Sequence, residues 1–247
     1  MSVSGMKVLV TGASSGIGAH IAQFLVGAGA QVVVAARRIQ ALEQFVDEAG
    51  DSAHAVQMDV TNPDQVIAGT QEAARLMGGL DGLFANAGIS WGGPATNMSE
   101  QDWTNLIDVN LNGVFRTCRA AAPIMAQGGG GAIVSTSSMA AFRPGAAIAA
   151  YATSKAGVVH LTRSLALEWA PMNIRVNAIA PGYFPTEMTS PFLDSDKGPK
   201  LASAIPMGRF GNLPELEGPI ELLLGSRGSF ITGVTLPVDG GHFCQSI

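Results

Sequence analysis

Cysteine, charge and long apolar runs are all scarce in this chain, and each shortage excludes something. Only Cys118 and Cys244 occur among 247 residues, too few for a disulfide framework and suited to a reducing compartment. Charged residues make up 13% of the chain and the net charge is −5, which argues against a surface that gathers nucleic acid phosphates. Mean hydropathy is high for a soluble chain, at +0.27. Yet every apolar run is broken by Gly, Pro or charge well short of the ~20 residues that a membrane span requires. Met1 to Gly5 carries no basic cluster and the first apolar run is only Val8 to Val10, so a signal peptide is not expected. His20, His54, His160 and His242 are scattered without ligand spacing and neither cysteine has a partner nearby. No metal site is expected, and each histidine reads as a solvated or core residue. With 47% hydrophobic residues the balance is wrong for disorder. A soluble, cytoplasmic, single-domain protein spanning 1–247 is expected, and at this length folding hides roughly 70% or more of the unfolded chain's surface.

No Pro/Ser-rich or charged stretch divides the chain, and Gly128–Gly131 reads as a helix stop followed by a turn. Short β-branched runs at Lys7–Val10, Gln31–Ala35, His54–Met58, Gly82–Ala85, Ala132–Thr136, Ile174–Ile179 and Val234–Val238 predict seven strands. Helices are expected near Ile17–Val26, Ala41–Ala49, Pro63–Met77, Ser99–Ala126, Tyr151–Trp169 and Pro214–Leu224. The strands are almost wholly apolar rather than alternating, as in a sheet covered on both faces. The fold class expected is α/β, a Rossmann-like doubly wound parallel sheet, with ligands at the carboxyl ends of its strands.

The first strand runs into Thr11-Gly12-Ala13-Ser14-Ser15-Gly16-Ile17-Gly18 and then a helix. Glycines let a backbone turn tightly and approach a pyrophosphate, whose charge a helix N-terminus favours. The spacing is G-x-x-x-G-x-G rather than the common G-x-G-x-x-G, and an ordinary strand-to-helix turn is the plain alternative. Where an acidic residue after the second strand would read a ribose 2′-hydroxyl, this chain has Ala36, Arg37 and Arg38. Guanidinium groups match a phosphate in geometry and charge, so NADP(H) is favoured, with NAD(H) possible and two solvated arginines the bland reading. Asp59, after the third strand, either accepts from an adenine amino group or caps the turn before Asn62-Pro63.

Thr11 to Gly18, Asn86-Ala87-Gly88, Tyr151-Ala152-Thr153-Ser154-Lys155 and Pro181-Gly182 together resemble the short-chain dehydrogenase/reductase family, in the family's order and from about Lys7 to Gly241. The resemblance implies a catalytic set of Asn110, Ser138, Tyr151 and Lys155. It implies that Asn86 stabilises the central sheet and that Gly88 lets the backbone pass close to the cofactor. Lys155 is expected to hold the nicotinamide ribose and Thr186 to bond the carboxamide. The cofactor-binding set, from the loop and the resemblance together, is Gly12, Ser14, Ser15, Gly16, Ile17, Gly18, Arg37, Arg38, Asp59, Val60, Asn86, Ala87, Gly88, Tyr151, Lys155, Pro181, Gly182, Phe184 and Thr186. Family members commonly pair through two helices as homotetramers, so a homotetramer is expected.

The chemistry can also be reasoned from the residues. A ketone accepting hydride builds negative charge on oxygen, which must be stabilised and protonated. Tyr151 can supply the proton, although a free phenol has a pKa of about 10. Lys155 follows four residues later on the same helix face, so its charge is expected to pull the phenol's pKa down. Ser138 can hold the substrate oxygen, and Asn110 can position a water that relays protons to Lys155. A sensor without turnover would lack Tyr151, Lys155 or Ser138, and all three are present. A lyase or epimerase is disfavoured by the glycine spacing and the short chain.

Substrate contacts are expected from Ser90, Trp91, Met139, Ala140, Phe142, Arg143, Tyr183 and Phe184. The region 183–212, rich in Pro, Gly and Met, reads as a lid. In it Phe192, Leu193, Ile205 and Met207 either close over an apolar substrate or pack the lid onto the body. Arg143 and Arg209 leave room for an anionic substrate or are plain surface. Leu106, Val109, Val114, Phe115 and Ala120–Ala122 on one helix, and Ala156, Val159, Leu161, Leu165 and Leu167 on another, serve either the core or the pairing of subunits.

Overall fold

In the computed structural model, which describes residues 2–244, seven strands form one parallel sheet. They are β1 (Lys7–Thr11), β2 (Gln31–Ala36), β3 (Ala53–Gln57), β4 (Gly82–Ala85), β5 (Gly131–Thr136), β6 (Ile174–Pro181) and β7 (Thr235–Val238), in the order β3-β2-β1-β4-β5-β6-β7. The chain winds outward from β1 to β3, then returns to lay β4 against the other side of β1. Loops after β1 and β4 therefore diverge and leave a crevice at their carboxyl ends.

Side chains of successive strand residues point to opposite faces, and both faces are covered. Leu9, Val33, Leu83, Ile133 and Val176 pack against α3 (Pro63–Met77), α5 (Gly113–Gln127) and α6 (Ala149–Trp169). Val8, Val10, Val32, Val34 and Phe84 pack against α1 (Gly16–Gly27), α2 (Ile39–Ala49) and α9 (Glu217–Leu224). That double cover explains why the strands read as continuous apolar runs. Local chemistry sets the helix ends. Asn62 Oδ1 accepts from the backbone N–H groups of Asp64 and Gln65, Pro63 takes the first turn of α3, and Gly78 closes it in the left-handed conformation. Arg175 donates to the carbonyls of Leu223 and Leu224 at 2.7 and 2.9 Å, which ties the end of α9 to β6.

Two features depart from the sequence reading. The helix expected over Ser99–Ala126 is α4 (Glu100–Ile107), a π-helical turn at Asp108–Asn112, and then α5. Hydrophobic periodicity does not reveal one extra residue inside a helix, and such bulges often mark functional positions. The segment 183–212 contains two short helices, α7 (Ser190–Leu193) and α8 (Gly198–Ala204). Most of the apolar surplus on α4–α5 and α6 is core: Leu106, Val109, Val114, Ala121, Ala122, Val159 and Leu165 are buried, whereas Phe115 and Leu167 stay exposed. Gly128 lies at the end of α5, Gly129 and Gly130 take positive φ and Gly131 opens β5, which makes the glycine run a helix stop and a turn. Among the described residues no helix is long and apolar enough to cross a membrane.

Candidate active site

A cleft of about 360 Å³ opens at the crevice between the β1 and β4 loops. Its floor begins where β1 ends. Thr11 Oγ1 accepts from the backbone N–H of Asn86 at 3.1 Å, and Asn86 Nδ2 donates to the Gly12 carbonyl at 3.3 Å. On its far side, Asn86 Oδ1 accepts from the Thr136 hydroxyl at 3.1 Å. One side chain thus stitches the ends of β1, β4 and β5 together. Gly12 has φ +66°, and a Cβ there would stand 2.7 Å from Ala87 Cα, so only glycine allows the loop to pass so close. Helix α1 follows, with Ser15 at its N-cap making no side-chain cap hydrogen bond, and Ser15, Gly16 and Ile17 at this helix start line the cleft.

Of the expected cofactor set, all but Gly18 line this cleft. A Cβ on Gly18 would run into the Gly12 carbonyl oxygen; its role is to let α1 seat against the loop. Arg38 donates from Nη2 to Ser14 Oγ at 3.2 Å and Ser15 Oγ at 3.3 Å, while Arg37 lies beside it on the same wall. Asp59 Oδ1 accepts from the Thr61 N–H and hydroxyl at 2.9 and 2.8 Å. Of its two readings, turn capping is the one with contacts, although the residue also lines the cleft.

The opposite end is built by α6 and the end of β5. Tyr151 and Lys155 stand one turn apart, with Lys155 Nζ 5.8 Å from the Tyr151 ring centre. The Lys155 side chain is buried, and Nζ donates to the Thr136 carbonyl at 2.8 Å. Burial pushes its ammonium down to about 8. Ser138, two residues past β5, accepts from the Ala140 N–H at 3.1 Å, and its hydroxyl acts to lower the pKa of the Tyr151 phenol. The expectation that Lys155 lowers the phenol's pKa is not met in this structure. Burial raises it, the Ser138 hydrogen bond opposes that rise, and the neighbouring Tyr183 adds to it. The lysine's proton is directed at a carbonyl rather than at the phenol.

Asn110 lies behind the cleft, wholly buried in the π turn. Its Oδ1 accepts from the Ile89 N–H at 2.8 Å, and its Nδ2 donates to the Ile89 carbonyl at 2.9 Å and Ser154 Oγ at 3.2 Å. The side chain is spent on holding the segment after β4 against α6. Gly88 is the thin wall between it and the cleft: a Cβ there would lie 3.4 Å from Asn110 Oδ1 and 3.5 Å from Lys155 Nζ.

The substrate candidates fare less evenly. Phe184 lines the cleft, whereas Met139 and Ala140 are buried in the turn after β5. Phe142 packs edge-on against Phe243 with ring centres 5.2 Å apart, and Arg143 donates to the His242 carbonyl at 3.1 Å. Tyr183 lies against Phe210 and His242, and Ser90 and Trp91 are outside the cleft's lining. Arg209 forms a bidentate pair with Glu215. Leu193 and Ile205 are buried, while Phe192 and Met207 remain exposed. Sequence reasoning missed Glu187, Met188 and Thr189, which line the cleft directly after Thr186. It also missed that Phe243 and His242, just beyond the last strand, pack against Phe142 and Tyr183. Among the described residues no cluster of His, Cys, Asp and Glu could hold a metal ion.

The family model described as "short chain dehydrogenase" matches residues 6–197. The chain belongs to the short-chain dehydrogenase/reductase family. Members at similar distance carry different names. The gluconate 5-dehydrogenase of Gluconobacter oxydans is 39% identical over 97% of this chain and 95% of its own length. The 3-oxoacyl-[acyl-carrier-protein] reductase of Vibrio cholerae is 35% identical over 98% and 99%. Among solved structures, a short-chain type dehydrogenase/reductase from Mycobacterium marinum superposes with a TM-score of 0.93 at 39% identity, covering 99% of this chain and 98% of the other. A gluconate 5-dehydrogenase from Burkholderia cenocepacia in complex with NADP and tartrate gives 0.93 at 34% identity, covering 98% and 97%. The seven-stranded parallel sheet with helices on both faces is the Rossmann-like fold of this family, and the chain is an oxidoreductase of it acting on a small molecule. A nicotinamide dinucleotide fits the residues present: Gly12, Gly16 and Gly88 line the cleft without side chains to fill it, and two arginines stand at one end.

Proposed function

We propose that this short-chain dehydrogenase/reductase prefers NADP(H) and interconverts a small carbonyl compound and its alcohol, with Tyr151 as the general acid and base. The observation that carries the reading is a single cleft joining the glycine loop and Arg37–Arg38 at one end to Ser138, Tyr151 and Lys155 at the other. Gly12, Ser14, Ser15, Gly16, Ile17, Asp59, Val60, Asn86, Ala87 and Gly88 would hold the nucleotide, with Gly18 behind them. Pro181, Gly182, Phe184 and Thr186 would flank the nicotinamide, whose chemistry when bound is hydride transfer.

The chain's own residues supply the rest. Ser138 donates a hydrogen bond to the substrate oxygen and fixes it beside the phenol. A phenol keeps its proton at neutral pH and burial pushes the Tyr151 pKa further up, so it enters the reductive direction as a loaded acid. As its proton passes to the substrate oxygen, negative charge develops on the phenol, and the Lys155 ammonium one turn away offsets it. In the oxidative direction Tyr151 must first lose its proton, so that direction is favoured as pH rises. Asn110 acts through position, holding the Ile89 backbone so that Gly88 and Lys155 keep their places.

The exposed Phe115 and Leu167 on α5 and α6 support the expected homotetramer, and the unpaired Cys118 and Cys244 suit the cytoplasm. A fluorescence titration with NADPH and with NADH tests the cofactor reading. NADPH should bind more tightly, and changing Arg37 and Arg38 to Ala should weaken NADPH much more than NADH. Equal losses would refute the phosphate role.

A further inference from the structure

The contact that the site leaves unexplained is an ion pair across the cleft. Arg38 Nη2, which already meets Ser14 Oγ and Ser15 Oγ, lies 3.6 Å from Oε2 of Glu187. The two residues come from opposite walls: Arg38 follows β2, and Glu187 follows Thr186 in the segment beyond β6. Glu187 does not reach across from a loose strand. Its segment is folded into a turn in which the N–H groups of Thr189 and Ser190 donate to the Thr186 carbonyl at 3.1 and 2.8 Å. Both side chains line the cleft and stay more than half exposed.

An arginine flanked by two hydroxyls is a receiver for an anion, and in this structure the anion facing it is a carboxylate of the same chain. We propose that Glu187 is a built-in competitor of the cofactor's 2′-phosphate for Arg38, and so a determinant of cofactor choice. The inference rests on the reading of Arg38 as a phosphate contact. NADPH brings a group of about −1.5 to −2 charge to Arg38, so the carboxylate must give up the guanidinium and then stand near a like charge. NADH brings a neutral ribose edge there and leaves the pair in place. Glu187 therefore narrows the preference that Arg37 and Arg38 create, and its release from Arg38 couples NADPH arrival to the segment that carries Thr186.

The test is a fluorescence titration of the cofactor-free protein with NADPH and NADH at low salt, for the unaltered chain, Glu187→Gln, Arg38→Ala and the double variant. Both positions are exposed, so folding should be unaffected, and circular dichroism checks it. Glu187→Gln should tighten NADPH by about threefold to fivefold, the scale of an exposed ion pair, and change NADH by less than about twofold. Salt at 0.5 M should shrink that gain, because the charges are open to solvent. In the Arg38→Ala background the gain should largely vanish. An unchanged NADPH affinity, an equal change for both cofactors, or a full gain without Arg38 would overturn the proposal. Arg38→Ala alone judges the underlying reading. If it weakens NADPH and NADH alike, the phosphate contact is wrong. If it weakens NADPH selectively while Glu187→Gln changes neither cofactor, only the competitor role fails.

Discussion

Replacing Lys155 with methionine should make the cofactor-free protein more stable while removing most of its turnover. Burial holds the ammonium's pKa at about 8, against 10.5 for a free lysine. A folded-state pKa below the unfolded one means that the unfolded chain binds the proton more tightly, so folding carries a penalty wherever the lysine is charged. The penalty is fully present below pH 8 and is relieved as pH rises from 8 to 10.5. At pH 7 it amounts to about 3 kcal/mol, falling to about 1.5 kcal/mol at pH 9.5. Methionine has a similar length and no charge, so it removes the penalty but leaves the Thr136 carbonyl without the donor it has at 2.8 Å, at a cost of about 1 kcal/mol. The net gain at pH 7 is about 2 kcal/mol, or roughly 4–8 °C in Tm for a chain of this size. Thermal unfolding of both proteins at pH 7 and pH 9.5 measures it. The advantage should shrink at the higher pH, and carbonyl reduction should fall about a hundredfold or more for want of the charge beside the phenol. A variant less stable at pH 7, or an advantage independent of pH, would refute the reasoning.

Three further outcomes follow from single contacts. Gly12→Ala forces a Cβ to within 2.7 Å of Ala87 Cα at φ +66°, and should abolish measurable NADPH binding and cost about 2 kcal/mol of stability in denaturant melts. Asn110→Ala strands the Ile89 N–H and carbonyl; chemical denaturation should show a loss of about 2–4 kcal/mol, and a loss under 1 kcal/mol would mean the pin is dispensable. Burial pushes the Cys118 thiol up to about 12, while Cys244 is exposed, so a thiol reagent on the native protein should titrate one cysteine per chain, and both only after unfolding.

The centre of the sheet was legible because β1, β2, β4, β5 and β6 are buried along nearly their whole length and therefore carry apolar runs, whereas β7 is only partly buried. Tyr151 and Lys155 were legible for a similar reason: a four-residue spacing puts both on one helix face without any tertiary information. The π turn was not legible, since one added residue inside Ser99–Ala126 leaves composition and caps unchanged and is held by tertiary contacts such as those of Asn110 to Ile89 and Ser154. Long-range pairings were equally hidden. Arg209 reads as a free charge until Glu215 meets it, and Arg38 reads as a phosphate contact with no rival until the segment after β6 brings Glu187 back across the cleft. The direction of the Tyr151 shift failed because the spacing to Lys155 was visible while the depth of burial was not.

The most direct test of the account is Tyr151→Phe, which removes one oxygen from the site and leaves the walls of the nucleotide cleft intact. Rates on the best ketone from a small carbonyl panel and NADPH affinity by fluorescence should be measured on the same preparations. The account predicts an affinity within about twofold of the unaltered protein and a rate lower by about a thousandfold or more. A rate within about tenfold, with cofactor binding preserved, would contradict the assignment of Tyr151 as the acid.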